Sequence, residues 1–434
     1  MRKNNDKRAR RVNRLQNLTI VLLTASALFL AANLPLFGAL SDQSLIDLAR
    51  GRSRAESGAA GTENAQAAAL AFPVRMVYTN DFARTGEDAI TTVSDGFERA
   101  GLLLGEALGS AYGAERITER AFLDALEREG LYVDFTAALP LDVLSGLLGV
   151  SAPELELEDV RRMLLSLAQD EALLYVQDGA GQNCRFRTAV SSAALIDFLA
   201  ARTGESADFA FMLGDAYAQL SPYTLVLSAP AARGSLAASS VLGGNEDAIL
   251  RRAEFNSHTE NRFTESSGTV IVREASSALY LHPDGTVGYQ GGAVSADSLY
   301  YVKSEGSDPT LAEATAAAQR LVVTLTQDLL GDAALYLSGA TQADGCVEVM
   351  FDLMVDGTPL RFADGSHAAT VTVAGRCVTE FTLKARCYTH AGEETLLLPF
   401  AQAAAIARLW DGAELIVAYI DSGADTVQPA WIAE

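Results

Sequence analysis

Apolar positions along this chain fall into three patterns: one unbroken block, blocks of helical period, and blocks of period two. The unbroken block is residues 18–37, inside "NLTIVLLTASALFLAANLPLF", which carries no charged side chain. At about 1.5 Å rise per residue it covers about 30 Å, the hydrocarbon thickness of a bilayer. A segment in lipid must satisfy its own backbone, so the pattern predicts a transmembrane helix over residues 17–38. "GRSRAESGAAGTENAQAAA" is small, polar and aperiodic, which predicts a flexible stalk within residues 39–72.

Beyond the stalk the two shorter periods alternate. "EDAITTVSDGFERAGLLLGEALGSAY" places Ile90, Val93, Phe97, Leu104 and Leu108 on one helical face. "LYVDFTA" alternates as a strand, and "PLDVLSGLLG" opens on proline and closes on glycine, as short helices do. "ELEDVRRMLLSLAQD" reads as a further helix, and "ALLYVQDGAGQNCRFRTAV" as two strands joined by a glycine-rich turn. A helix around residues 191–202 and a strand "TLVLS" complete an N-terminal α+β unit at 73–232. The Gly/Ser/Ala-rich stretch that follows predicts a linker at 233–250.

The C-terminal unit, 251–434, has a hairpin turning at Pro283-Asp284-Gly285 and one long helix in "DPTLAEATAAAQRLVVTLTQDLLG". In that helix Asp308 is the expected cap, Pro309 the first-turn residue and Gly331 the terminator. Alternating runs follow, "ALYLSGA", "CVEVMFDLMVDG", "HAATVTVAGR" and "CVTEFTLKARCYTH", an antiparallel meander with turns at Asp356-Gly357 and Gly375. "LPFAQAAAIARLWDG" is a helix, "AELIVAYIDSG" a strand, and "VQPAWIA" a last strand with Pro429 at its start, where no ladder bond is lost. The fold class expected is therefore α+β: a single N-terminal transmembrane helix, then two units with helices packed on mainly antiparallel sheets.

Charge orients this layout. The formal net charge is −22, yet residues 1–16, a basic tail, hold seven Lys/Arg against one Asp, leaving 26 basic and 54 acidic residues in the rest. Positive charge before the apolar block puts that tail in the cytoplasm and the body outside. The strongly acidic body repels phosphate backbones, which excludes nucleic acid as a partner. Four cysteines, Cys184, Cys346, Cys377 and Cys387, match no metal spacing and read as free thiols.

The search for chemistry is mostly negative. His258, His282, His367 and His390 stand apart, with no second metal-ligand residue at helical spacing. No nucleophile elbow, P-loop or dinucleotide fingerprint is present, and "GSAYG" at 109–113 has its serine displaced. The acids of "ELELED" fit the first turn of a helix better than a cation site. No catalytic, cofactor or metal residue is assigned, and the expectation is a non-enzymatic protein without cofactors. One feature of the apolar block stands out: Thr24, Ala27 and Ala31 share a helix face, and small residues there let membrane helices approach closely.

The C-terminal residues also carry a likeness. "FDLMVDGTPL", following the long helix, and the ending "VAYIDSGADTVQPAWIAE", with its tyrosine-bearing strand, spacer and "PAW", resemble the YycH/YycI family of membrane-anchored regulators of the Wal/Yyc two-component system of low-GC Gram-positive lineages, with 251–434 similar to YycI. The layout of basic tail, single span and α+β ectodomain matches as well. The resemblance implies a non-enzymatic accessory protein that contacts a sensor histidine kinase through membrane helices and ectodomains, often with a sister regulatory protein. The competing expectations are a surface-anchored envelope hydrolase using paired carboxylates, and an envelope ligand-binding module with a concave pocket.

Overall fold

The computed structural model describes residues 75–434, except 82, 88–94, 152, 229–232, 305 and 307. The basic tail, the predicted span, its Thr24, Ala27 and Ala31, and the stalk all lie outside the described residues. Among the described residues no helix is long and apolar enough to cross a membrane.

The first half of the described chain runs β1 (Arg75–Asn80), β2 (Ala83–Glu87), α1 (Asp95–Gly109), β3 (Tyr112–Ile117), α2 (Glu119–Leu126), β4 (Gly130–Pro140) and α3 (Leu141–Leu147). It continues through β5 (Asp159–Ala168), β6 (Glu171–Gln177), β7 (Asn183–Arg187), α4 (Ser192–Ala200), β8 (Glu205–Phe209) and β9 (Leu225–Leu227). These strands form one sheet, in the order β3-β7-β6-β5-β4-β1-β2-β8-β9. Both of its faces are covered. Met76, Leu131, Val133, Met163, Leu165 and Leu174 meet the buried sides of α1, α3 and α4. The alternate residues Val77, Tyr132, Leu164 and Tyr175 pack under α2, with Phe122 edge-on to Tyr175.

Double coverage accounts for one correction. "ELEDVRRMLLSLAQD", expected as a helix, is β5 in the middle of this sheet, and Val160 and Met163 to Leu165 are all buried. A strand buried on both faces loses its polar alternation and reads as a continuous apolar run. The acids before it therefore cap no helix; Asp159 instead accepts a bond from the Gly179 amide at 2.7 Å.

The second half opens with β10 (Arg233–Ser240), α5 (Glu246–Arg252), β11 (Arg262–Thr264), β12 (Val270–Glu274), β13 (Ser277–Leu281) and β14 (Thr286–Gln290). Next come α6 (Leu311–Thr326), β15 (Ala333–Ala343), β16 (Cys346–Val355), β17 (Thr358–Phe362), β18 (Ala369–Ala374) and β19 (Cys377–Lys384). β20 (Arg386–Thr395), α7 (Phe400–Ala407), β21 (Leu415–Asp421) and β22 (Thr426–Ala433) end the chain. The second sheet has the order β11-β12-β13-β14-β19-β18-β16-β17-β21-β22-β10-β20, with β15 alongside β16. Its pairs are antiparallel except β17 with β21. Residues 233–250, expected as a linker, instead supply β10, which pairs with β20 and β22, and the start of α5. Small residues in β10 lower its apparent strand signal, although Leu236 and Ala238 are buried.

The long helix α6 lies on this sheet through alanines 312, 314, 316, 317 and 318, whose short side chains allow close approach. It is capped by Thr310 rather than Asp308. The Thr310 hydroxyl accepts from the Glu313 amide at 3.2 Å, and the Glu313 carboxylate accepts from the Thr310 amide at 2.8 Å, a reciprocal capping box. The helix ends at Thr326, short of Gly331, which bridges to Tyr388 instead. Pro429 sits inside β22, not at its start. Glu414 and Glu434 exchange both backbone bonds, at 2.8 and 2.9 Å. Counting back from that pair along the β21–β22 register, Pro429 opposite Tyr419 falls at a non-bonded pair, so its missing N–H interrupts no bond to β21.

Candidate functional site

One row of side chains crosses five neighbouring strands of the first sheet. Arg75 of β1 stands opposite Asp134 of β4, Asp134 opposite Arg162 of β5, Arg162 opposite Gln177 of β6, and Gln177 opposite Asn183 of β7. Pleating puts this row on the α2 face, two residues beyond the apolar row Val77, Tyr132, Leu164 and Tyr175. Every member is buried, Asp134 completely.

Burying charge requires partners, and the row supplies them sideways. Arg162 Nε donates to Asp134 Oδ2 at 3.1 Å, and its Nη1 donates to Gln177 Oε1. Gln177 Nε2 donates to Asn183 Oδ1 at 3.1 Å and to the Tyr223 hydroxyl at 3.0 Å. The Arg162 guanidinium lies 4.4 Å from the centroid of the Tyr223 ring. The second sheet closes the cluster: Glu414, just before β21, accepts from Arg75 and Arg162 and, at 3.3 Å, from Arg161. Burial alone would depress the arginine pKa values, but the two carboxylates outweigh it and raise both Arg75 and Arg162. Tyr132, sealed beside Asp134, has its phenol pushed well above the ordinary range by burial. Each charge of the row has a near neighbour of opposite sign.

Next to this row the ends of the two sheets enclose a cavity of about 350 Å³. Arg75 belongs to both features. Leu225, Leu227 and Ser228 line the cavity from the first sheet's edge; Arg233, Thr358, the segment Leu397 to Phe400, Leu415 to Val417 and Trp431 line it from the second. Trp431 meets Phe400 edge-on at 5.7 Å, and its indole Nε1 donates to the Leu398 carbonyl at 2.8 Å. Around α7 several large apolar side chains face solvent: Leu396, Leu398, Ile406, Leu409 and Trp410.

The sequence-derived candidates fare unevenly. The four cysteines are free thiols, each partly buried. Among the described residues no group of three metal-ligating side chains comes together. His367 lies 3.0 Å from Asp352, whose hydrogen bond raises the imidazole pKa, and His390 lies 3.1 Å from Asp356. The buried row itself went unread in the sequence. The local pattern around Arg162 reads as a helix, and nothing local ties Glu414 to residues far upstream. The surviving signal was the charge inside otherwise apolar blocks, at "VRRM" and "AELIV".

The fold and site together define an α+β protein of two large antiparallel or mixed sheets, joined by a buried ionic row and a shared cavity. The crystal structure of YycH from Bacillus subtilis is similar over 88% of this chain and 95% of its own, with a TM-score of 0.51 and 12% sequence identity. The fold is YycH-like. No family model and no curated protein matches the sequence.

Proposed function

We propose that the chain is a membrane-anchored, extracytoplasmic, non-enzymatic regulator that modulates a sensor histidine kinase through protein–protein contacts. The observation that carries this reading is the YycH-like fold, which extends over nearly the whole of both chains. In this reading residues 17–38 span the membrane, the basic tail is cytoplasmic and the acidic body is outside. The kinase is met through the Thr24, Ala27 and Ala31 face and through the body, with a sister regulatory protein as a second partner. Apolar side chains exposed around α7 support a contact role, since polar surfaces seldom carry so many. Asp134 and Glu414, the carboxylates gathered at the buried row, are sealed from solvent and held by arginines, so neither meets a substrate.

In-membrane crosslinking tests the proposal. The native chain is expected to capture a sensor histidine kinase, and Thr24→Leu, Ala27→Leu and Ala31→Leu together to weaken that capture. If the native chain captures neither a kinase nor a sister regulator, the reading fails.

A further inference from the structure

We infer that the cavity beside the ionic row is a binding site for a single-chain amphiphile with an anionic head group. Most of its wall is aliphatic or aromatic: Leu225, Leu227, Ile416, Val417, Phe400 and Trp431. Among the described residues the charged lining side chains are Arg75 and Arg233, both more than nine-tenths buried. In a chain of formal charge −22 that is a selective local environment.

The two arginines are positioned by the fold. Arg75 is drawn into the row by Glu414 and Asp134, and Arg233 Nε donates to Thr358 Oγ1. An anion at this wall meets guanidinium groups already desolvated and fixed, where charge-assisted hydrogen bonds are strongest. The volume, about 350 Å³, is in the range of small-molecule sites, and at about 30 Å³ per water-sized group it holds about a dozen non-hydrogen atoms. A chain of ten to twelve carbons is about that size, with its head at the arginines and its tail on Trp431 and Val417. Carboxylate and phosphate heads satisfy the same chemistry.

The chain's two tryptophans are Trp410, which is exposed, and Trp431, which lines the cavity. Trp410→Phe therefore leaves a single reporter at the site. The full-length Trp410→Phe chain in nanodiscs is titrated with dodecanoate, dodecyl phosphate, dodecanol and dodecyltrimethylammonium, each below its micelle concentration, against empty nanodiscs. One or both anionic ligands should give a saturable change in Trp431 emission, and which one does so identifies the head group. Dodecanol and the cation should bind at least about tenfold more weakly, as expected for loss of a charged hydrogen bond. Val417→Phe, which fills the cavity, should weaken the anion about tenfold or more, and Arg233→Met should erase its preference over dodecanol. A photoreactive dodecanoate on the native chain, mapped by peptide mass, keeps the test open where a variant fails to fold; labelling is expected on the segments around Leu227, Leu398 and Val417. No saturable change, equal response to the cation, or labelling confined to other segments overturns the inference. So does loss of kinase capture in Val417→Phe without any amphiphile binding, which assigns the cavity to a partner's side chains. No kinase takes part in the binding measurements, so their failure leaves the proposed regulatory role standing.

Discussion

Arg162 and Glu414 are hydrogen-bonded partners although 252 positions of chain separate them. One belongs to the interior strand β5 of the first sheet, the other to the turn entering β21 of the second. Their contact joins the two sheets through charge, where most of the shared core is apolar.

Removing the carboxylate tests how much that junction holds. Glu414→Leu leaves Arg75, Arg161 and Arg162 around the single carboxylate of Asp134, an uncompensated buried charge. Breaking a buried pair in this way costs about 3–5 kcal/mol. Urea denaturation should show a loss of that size. Glu414→Gln, which keeps shape and an acceptor, should recover part of it. Exposed Asp411, three residues earlier, is the comparison: Asp411→Ala should change stability by less than about 0.5 kcal/mol. Equal effects at 411 and 414 would mean the row contributes nothing.

How far the fold could be read beforehand depends on where each signal resides. Local signals were legible: Asp356-Gly357 adopts positive φ at both residues, 47° and 73°, as a two-residue hairpin requires. The Pro140–Leu147 helix start and the terminal strand around Trp431 were legible for the same reason. β5 was not, because burial of both its faces removed the alternation that marks a strand. Asp308 before Pro309 imitates a cap, whereas the true signal is the Thr-x-x-Glu spacing of Thr310 to Glu313, a capping box. The ionic row and the cavity could not be read locally, since both are made by register between strands and by contact between distant halves.

A second prediction concerns the aromatic stack in the second sheet. Tyr289 lies 4.2 Å from the Tyr300 ring and 5.4 Å from Phe381, nearly parallel to both, and its hydroxyl is 3.2 Å from Ser277 Oγ. Tyr289→Ala removes a fully buried ring and should cost about 3–5 kcal/mol. Tyr289→Phe keeps the stack and loses one hydrogen bond, about 0.5–1.5 kcal/mol. Denaturation midpoints that fail to separate the two substitutions would contradict this packing.

Gly331 and Gly375 give a third, paired prediction. Both have positive φ, 69° and 54°. A Cβ at Gly375 meets nothing within 4 Å, whereas one at Gly331 would sit 2.1 Å from the Tyr388 carbonyl oxygen. Gly375→Ala should therefore cost only the backbone penalty, about 1–2 kcal/mol. Gly331→Ala adds a clash with backbone that cannot swing aside, and should cost clearly more. Thermal unfolding of the two variants side by side measures the difference.

The fourth prediction is a pH dependence centred on His367. Its Nδ1 lies 3.0 Å from Asp352 Oδ1, and that hydrogen bond raises the imidazole pKa against the opposing effects of burial and of Arg361. In the unfolded chain the group titrates near the usual value of about 6.5. Because the folded value is higher, the folded state binds the proton more tightly, and protonation favours folding. The contribution is complete below about pH 6.5 and disappears as pH rises through the folded value. His367→Gln should then be less stable than the native chain at pH 5.5, and the gap should close by about pH 9. With 39% of the side chain exposed to solvent, screening keeps the effect below about 1 kcal/mol. Chemical denaturation of both chains across that range measures it, and a gap that widens toward alkaline pH would reverse the sign and remove Asp352 as the cause.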